Sequence, residues 1–302
     1  MTTSYHEPVL LRESVDALDI IADGVYVDVT FGGGGHSREI LGRLGPKGKL
    51  VAFDQDEDAQ KNTIHDPRFI LVRHNYRYVL QFLRYYGLLP VDGLLADLGI
   101  SSFQIDEAAK GFSIRFNAPL DMRMNQQSEL TAARVVNEYT EQDLLRVFSE
   151  YGEVRNAKSL VRRIAEERKG RVIDEIEDFK ARIAPCVDRQ HESQYYAKVF
   201  QALRIEVNDE LGSLKELLIR SAEIIKPGGR LVVIAYHSLE DRLVKNFITR
   251  GKFEGEAEKD LFGNTTDLPF RALTKKPLEA GVVETERNPR ARSAKLRIAE
   301  RI

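Results

Sequence analysis

Apolar side chains recur at every second position from Val25 through Val27 and Val29 to Phe31, the period of a strand with one buried face. The run breaks into four consecutive glycines, Gly32, Gly33, Gly34 and Gly35, and then meets His36-Ser37-Arg38-Glu39-Ile40-Leu41, a helix start. Strand, tight turn and helix follow one another. Apolar runs over 49–54, 69–72, 91–97 and 230–236 predict four more strands, the second and fourth strands of the chain each closing on an acid. The second is followed by Gln55-Asp56-Glu57-Asp58, read as an acidic helix start, and the third by a helical stretch over 77–86. Ahead of the first strand, Pro8 and the amphipathic pattern at Val9, Leu10, Val15 and Leu18 predict a short cover over the sheet. Strands alternating with helices imply βαβ units and a parallel sheet, which binds ligands beyond the carboxyl ends of its strands. The glycines, Asp54, Tyr76 and Asp97 all fall at those ends.

Past Asp97 the alternation stops, and the next strand arrives only after the turn Lys226-Pro227-Gly228-Gly229. An inserted all-α domain over 105–207 is therefore expected, splitting an α/β domain into 1–104 and 208–302. Thr140 with Asp143 has capping-box spacing, and Ala157, Leu160, Val161, Ile164, Ala165 and Arg168 form a helical stripe. Two more helical patterns, 192–207 and 209–225, lead back to the sheet.

Composition narrows the class. The 302 residues are 42% hydrophobic, enough for one large core or two smaller ones. Lys and Arg number 45 against 47 Asp and Glu, a net charge of −2 that argues against a uniformly basic nucleic-acid binder. Charge is nonetheless clustered. Opposite the helical stripe lie Arg155, Lys158, Arg162 and Arg163, and from Arg155 to Arg171 seven basic residues face two acidic ones. A solvated helix face would read the same way. The tail from Arg287, which holds Arg290 and Arg292, sets six basic residues against Glu300, while Ala294, Leu296 and Ile298 alternate as in a strand. One face of it is expected to close the sheet and the other to meet phosphate. A single cysteine, Cys186, rules out an intrachain disulfide and a cysteine-only metal cluster. Without a signal segment or a membrane-length apolar run, a soluble cytoplasmic protein with no membrane partner is expected, and no motif calls for a metal.

The glycine turn suits a nucleoside cofactor, because glycine permits positive φ and close approach while a helix start attracts negative charge. A dinucleotide site wants G-x-G-x-x-G, and here the third glycine is replaced by Ser37 or Arg38, depending on the frame. Asp54, nineteen residues after Gly35, has the place of a ribose-binding acid in dinucleotide and S-adenosylmethionine sites alike. The turn does not choose between them. After the fifth strand, Ser238 with Asp241 has N-cap spacing, and His237 either contacts substrate or orients its loop.

Read together, the separate blocks are specific. They are His6-Glu7-Pro8-Val9-Leu10-Leu11, TFGGGGHS from Thr30, DLGISS from Asp97, Gly111-Phe112-Ser113, Pro119-Leu120-Asp121-Met122-Arg123-Met124, Tyr236-His237-Ser238-Leu239-Glu240-Asp241-Arg242 and Asn288-Pro289-Arg290-Ala291-Arg292-Ser293. In this order they closely resemble the RsmH (MraW) family of bacterial 16S rRNA (cytosine-N4)-methyltransferases, from the first residues to the last. The resemblance implies a class I S-adenosylmethionine-dependent methyltransferase fold, Rossmann-like with an inserted helical substrate-recognition domain, acting on a cytosine in the decoding (P-site) region. It implies S-adenosyl-L-methionine as cofactor and 16S rRNA, within the small ribosomal subunit, as partner. Whether the chain forms a homodimer stays open. Carried over by position, the cofactor contacts fall on Gly34, Gly35, His36, Asp54, Tyr76, Asp97 and Gln104. Tyr76 stands where phenylalanine is expected, and either ring packs on adenine.

A sulfonium methyl is already activated, so an enzyme using it mainly has to align donor and acceptor and exclude water. Cytosine N4 is a poor nucleophile, and an acceptor near the amine localises its lone pair. Many amino-methyltransferases put Asn or Asp before Pro-Pro and an aromatic here; this chain has Asp97-Leu98-Gly99-Ile100-Ser101-Ser102. Asp97 is the leading catalytic candidate, with His237 and Ser238 on the substrate side and pure cofactor binding as the competing role for Asp97. Arg155, Lys158, Arg162, Arg163, Arg290 and Arg292 are the RNA candidates. A nicotinamide-dependent oxidoreductase and a non-catalytic ribosome-binding protein are the other classes weighed.

Overall fold

The computed structural model describes residues 8–101, 104, 107, 110–258, 266 and 268–302. His6, Glu7 and Ser102 of the motif blocks lie outside the described residues. The chain divides into two compact units, one drawn from Met1–Gly99 and Leu211–Ile302 and the other from Ile100–Glu210. Both ends of the second unit extend past the expected 105–207. Backbone breaks account for this: Gly99 at φ 93 turns the chain out of a strand, and Asp209 at φ 45 separates two helices.

The strands are β1 (Val25–Asp28), β2 (Lys49–Phe53), β3 (Phe69–Val72), β4 (Val91–Asp97), β5 (Ile225–Ala235), β6 (Phe270–Ala272) and β7 (Lys295–Arg301). The helices are α1 (Leu11–Ala17), α2 (Gly35–Arg43), α3 (Val79–Tyr86), α4 (Ala132–Glu138), α5 (Glu141–Arg146), α6 (Ala157–Glu167), α7 (Ile176–Ile183), α8 (Glu192–Asn208), α9 (Glu210–Ile224), α10 (Ser238–Arg250) and α11 (Val282–Arg287). All strands join one seven-stranded sheet of order β3-β2-β1-β4-β5-β7-β6. The pairings from β3 to β5 are parallel, and β7 runs antiparallel to both its neighbours. This is the Rossmann-like, mostly parallel arrangement the resemblance implies. The winding reverses at β1 and β4, so the loops after these two strands diverge and leave room for ligand.

Side-chain alternation sorts the sheet's two faces. Val27, Val51, Leu94, Ala96, Leu231 and Val233 pack with Leu80 and Leu83 of α3, Leu217 of α9 and Phe247 of α10. Tyr26, Leu50, Leu95, Val232, Ile234 and Leu296 pack on the other face with Val15 of α1 and Ile40 and Leu41 of α2. Because both faces are covered, these strands read as near-continuous apolar runs.

Two local expectations need correction. The acidic stretch after β2 forms a 3-10 turn, Glu57–Asn62, capped by Asp56, and only Ala59 of it is buried. It lacks the apolar stripe that an α-helix packs with. The turn Lys226-Pro227-Gly228-Gly229 does not precede β5 but lies inside it, where the register with β4 shifts between Val91 and Gly93. Gly228 has φ 81, and a Cβ on Gly229 would lie 2.6 Å from the Asp92 carbonyl. The short strand β6 carried no recognised signal.

The second unit holds α4 to α8 around its own core, built on Leu120, Val135, Phe148, Leu160, Ile164, Phe179 and Leu203. Thr140 caps α5 by accepting from Asp143 N at 3.1 Å. The stripe of α6 is buried as its spacing predicts. Among the described residues no helix is long and apolar enough to cross a membrane.

Candidate functional site

The glycine turn is built on a buried carboxylate. Asp28, at the end of β1 and 1% exposed, accepts from Thr30 N (3.1 Å) and Thr30 Oγ1 (3.4 Å) on one oxygen and from Ser37 Oγ (2.6 Å) on the other. Thr30 Oγ1 in turn accepts from Asp97 N at 2.7 Å. One acid thus ties the end of β1, the first turn of α2 and the end of β4. Gly32 (φ 49) and Gly34 (φ 75) take the left-handed conformations the turn needs. The close approach expected at the glycines is made by the protein itself. A Cβ on Gly35 would lie 2.1 Å from Pro8 Cγ, and one on Gly34 would lie 2.8 Å from the Phe31 ring. No side chain caps α2, so the N–H groups of its first turn point out of the loop without an intrahelical acceptor.

Asp54, just past β2, accepts from Gly32 N at 2.8 Å and Asp56 N at 2.9 Å. Burial outweighs these two donors and, with Asp56 and Asp28 nearby, pushes its carboxyl up to about 6. Asp97, at the end of β4, is likewise pushed up to about 6 by burial, against the opposing pull of His36 and a hydrogen bond from Tyr236. The Tyr236 hydroxyl donates to Asp97 Oδ1 at 2.6 Å, while Asp97 Oδ2 lies 3.8 Å from His36 Nδ1. His36 is buried, with Nε2 3.2 Å from the Val9 carbonyl. Burial and the neighbouring Asp97 raise the Tyr236 phenol well above its ordinary range.

The N-cap of α10 is His237, not Ser238, and its capping partner is Glu240, not Asp241. His237 still has extended dihedrals (φ −137, ψ 163), whereas Ser238 is already the first helical residue. Glu240, 3% exposed, accepts through Oε2 from Tyr236 N (2.9 Å) and His237 N (3.3 Å), and Glu240 N donates to His237 Nδ1 at 3.4 Å. His237 Nε2 lies 3.2 Å from Glu240 Oε1. Asp241 instead grips Arg297 of β7 through two hydrogen bonds, at 2.6 and 3.0 Å.

Tyr76 opens a 3-10 turn after β3, half-buried against the sheet core. Asn75, which sequence reasoning passed over, caps that turn and donates to Gln55 Oε1 at 3.0 Å, joining the loops after β2 and β3. Gln104 belongs to the second unit, where its side chain accepts from Ser101 N at 2.9 Å. On α6 and just before it, Arg155, Lys158 and Arg162 are exposed, with no ion-pair partner among the described residues. Arg163 differs: it pairs with Glu167 at 2.7 Å and donates to the Arg182 carbonyl at 2.9 Å. In the tail Arg292 is exposed and Arg290 half-buried, while Arg297 is committed to Asp241.

Asp28, Thr30, Tyr236 and Glu240 were all missed. The spacing of His237 and Glu240 was a usable capping signal, and an aspartate among the valines of a buried strand was another.

The model of the MraW methylase family matches residues 3–302. The chain belongs to that family. Among curated relatives, Ribosomal RNA small subunit methyltransferase H of Flavobacterium johnsoniae is 56% identical over 301 residues, covering 100% of this chain and 99% of the relative. The protein of the same name from Bacteroides fragilis is 55% identical over 299 residues, covering 99% and 98%. The solved structure of an rRNA methylase from Streptococcus thermophilus covers 98% of this chain and 99% of its own at 12% identity, with a TM-score of 0.44.

Two of the motif blocks form a knot inside the second unit. Asp121 grips Arg123 through Nε and Nη2, both at 2.8 Å, and Arg123 Nη1 donates to the carbonyls of Gln126 and Ser128. Met122 takes φ 63, and a Cβ on Gly111 would lie 2.4 Å from the Pro119 carbonyl. Asn208 at the end of α8 closes the knot, accepting from Met124 N and donating to the Met122 carbonyl, each at 2.8 Å.

Proposed function

We propose that this chain transfers the methyl group of S-adenosyl-L-methionine to N4 of a cytosine in the decoding region of 16S rRNA in the small ribosomal subunit. One observation carries the reading. Beside an uncapped helix start, Asp54 and Asp97 hold carboxyls raised to about 6, which a cation or a set of N–H and O–H donors would relieve. S-adenosylmethionine has those groups: a sulfonium, an ammonium and a ribose diol, with a carboxylate for the helix start. The names of the two relatives supply the substrate class.

On this reading the first turn of α2, at Gly34, Gly35 and His36, receives the cofactor's carboxylate end. Asp54 accepts from the ribose hydroxyls, and the Tyr76 ring packs against adenine. When bound, the cofactor supplies a methyl already activated on sulfur. Asp97 accepts an N–H of the cytosine amine, localising its lone pair, and takes up the proton released as the N–C bond forms. Its carboxyl, at about 6, is ionised and ready to do so at neutral pH. His237 remains bound into the helix cap, with Ser238 beside it.

Nucleoside mass spectrometry of 16S rRNA from a strain lacking this protein tests the reading. Loss of N4-methylated cytidine, restored by the wild-type chain and not by Asp97→Ala, is expected. Unchanged N4-methylation would refute it.

A further inference from the structure

Asp97 has two oxygens in unlike surroundings. Oδ1 receives the Tyr236 hydroxyl at 2.6 Å, whereas Oδ2 faces His36 Nδ1 at 3.8 Å, beyond hydrogen-bond reach. The His36 tautomer follows from its other nitrogen. A carbonyl can only accept, so Nε2 must carry the proton toward Val9 O, and in the neutral ring Nδ1 presents a lone pair. Among the described residues nothing within hydrogen-bond distance donates to Oδ2, which leaves that oxygen open to an N–H donor. Tyr236 is itself fixed. Its backbone N–H is held by Glu240 at 2.9 Å, and the residue directly follows β5, whose Ile234 pairs with Asp97 of β4. The phenol reaches across to Asp97 from the neighbouring strand end and not from Asp97's own loop.

We propose that Tyr236 is a positioning residue for methyl transfer: by occupying Asp97 Oδ1, it presents Oδ2, on the His36 side, as the oxygen that receives the acceptor amine's N–H. This rests on the reading of Asp97 given above. Without the phenol the carboxylate would rotate between its two oxygens and lose a donor that favours its charged form. Among the described residues, the charged and titratable groups acting most strongly on Asp97 are His36, Tyr236, Asp28 and Glu240.

The test is Tyr236→Phe in the full chain. Single-turnover methyl transfer to small subunits from a strain lacking the protein is followed from pH 5 to 8 at saturating cofactor. Loss of a hydrogen bond to a charged group moves the acidic limb up by about one pH unit, roughly a tenfold loss on the limb and a smaller one on the plateau. Asp97→Asn should abolish the limb, assigning it to Asp97. Carbon-13 carboxyl NMR of Asp97 should show the same upward move in Tyr236→Phe, independently of turnover. An unmoved limb and carboxyl midpoint would overturn the proposal. So would an equal loss at every pH with a lowered melting temperature, the mark of a merely structural tyrosine. A wild-type chain that transfers no methyl group would instead sink the reading of the site itself.

Discussion

If Asp54 and Asp97 meet the cofactor as proposed, its affinity depends on pH in a direction and by an amount that can be worked out. Each carboxyl stands at about 6 against an ordinary 3.8. The folded chain thus holds these protons more tightly than the unfolded chain. The associated stability is fully present below about pH 4 and is lost as pH rises through about 6, roughly 3 kcal/mol per group at most. A ligand that donates hydrogen bonds to the ionised form reverses the shift. If binding returns Asp54 to its ordinary range, affinity tightens about tenfold between pH 5 and pH 8, or ~1.4 kcal/mol. If Asp97 is relieved as well, the factor is about a hundred, with roughly one proton released on binding near pH 6. Isothermal titration with S-adenosylmethionine at three pH values, in buffers of different ionisation enthalpy, measures both quantities. Asp54→Asn should bind more weakly and keep only the share of the slope due to Asp97. Flat affinity from pH 5 to 8 without proton release would show that neither carboxylate meets the cofactor.

Three further outcomes are expected. Ser37→Ala removes the 2.6 Å bond to the buried Asp28 carboxylate and should cost about 1.5–3 kcal/mol in a denaturant titration, with cofactor affinity falling because the turn loosens. Gly35→Ala places a methyl where Pro8 lies and should lower stability by about 1–3 kcal/mol, read as a lower melting temperature; an unchanged melt would mean the packing against Pro8 is dispensable. Charge reversal at Arg155, Lys158 and Arg162 should weaken RNA binding and flatten its salt dependence by about 0.7–0.9 for each phosphate no longer neutralised, with cofactor affinity unchanged, whereas Arg163→Glu should chiefly lower the melting temperature by breaking the pair with Glu167.

The sheet was legible because its strands are buried on both faces and bounded by charge. The runs 69–72 and 91–97 correspond residue for residue to β3 and β4, and the long interval after Asp97 marked a second unit. What escaped was whatever depends on a partner far along the chain. The three residues of β6 become a strand only because β7 offers an edge, and nothing local in Phe270-Arg271-Ala272 signals that. Helix start positions slipped for a related reason. Ser238 is the better intrinsic cap, yet the buried carboxylate of Glu240 gathers the N–H groups of Tyr236 and His237 and sets the boundary one residue earlier. Arg163 looked like its neighbours in sequence, and only the fold shows that its charge is spent on Glu167.

Four acids, Asp28, Asp54, Asp97 and Glu240, crowd the carboxyl edge of this sheet, and in sequence all are simply acids near strand ends. Asp28 and Glu240 are buried, and their oxygens gather the chain's own donors into the turn and the cap. Asp54 and Asp97 are partly exposed and stand at about 6, chiefly because burial penalises their charge and secondarily because of the neighbouring acids. A dinucleotide would bring a pyrophosphate to this edge and add to the repulsion, while a sulfonium with an ammonium and a diol lessens it. The same field bears on the substrate. On the proposed reading a neutral base is accepted beside Asp97 but its flanking phosphates are not, so the nucleotide would be splayed from its neighbours and its backbone held on cations away from this edge. Acidity at the strand ends and exposed basic residues elsewhere are therefore two halves of one requirement, which a chain of near-zero net charge meets only by keeping the two signs apart.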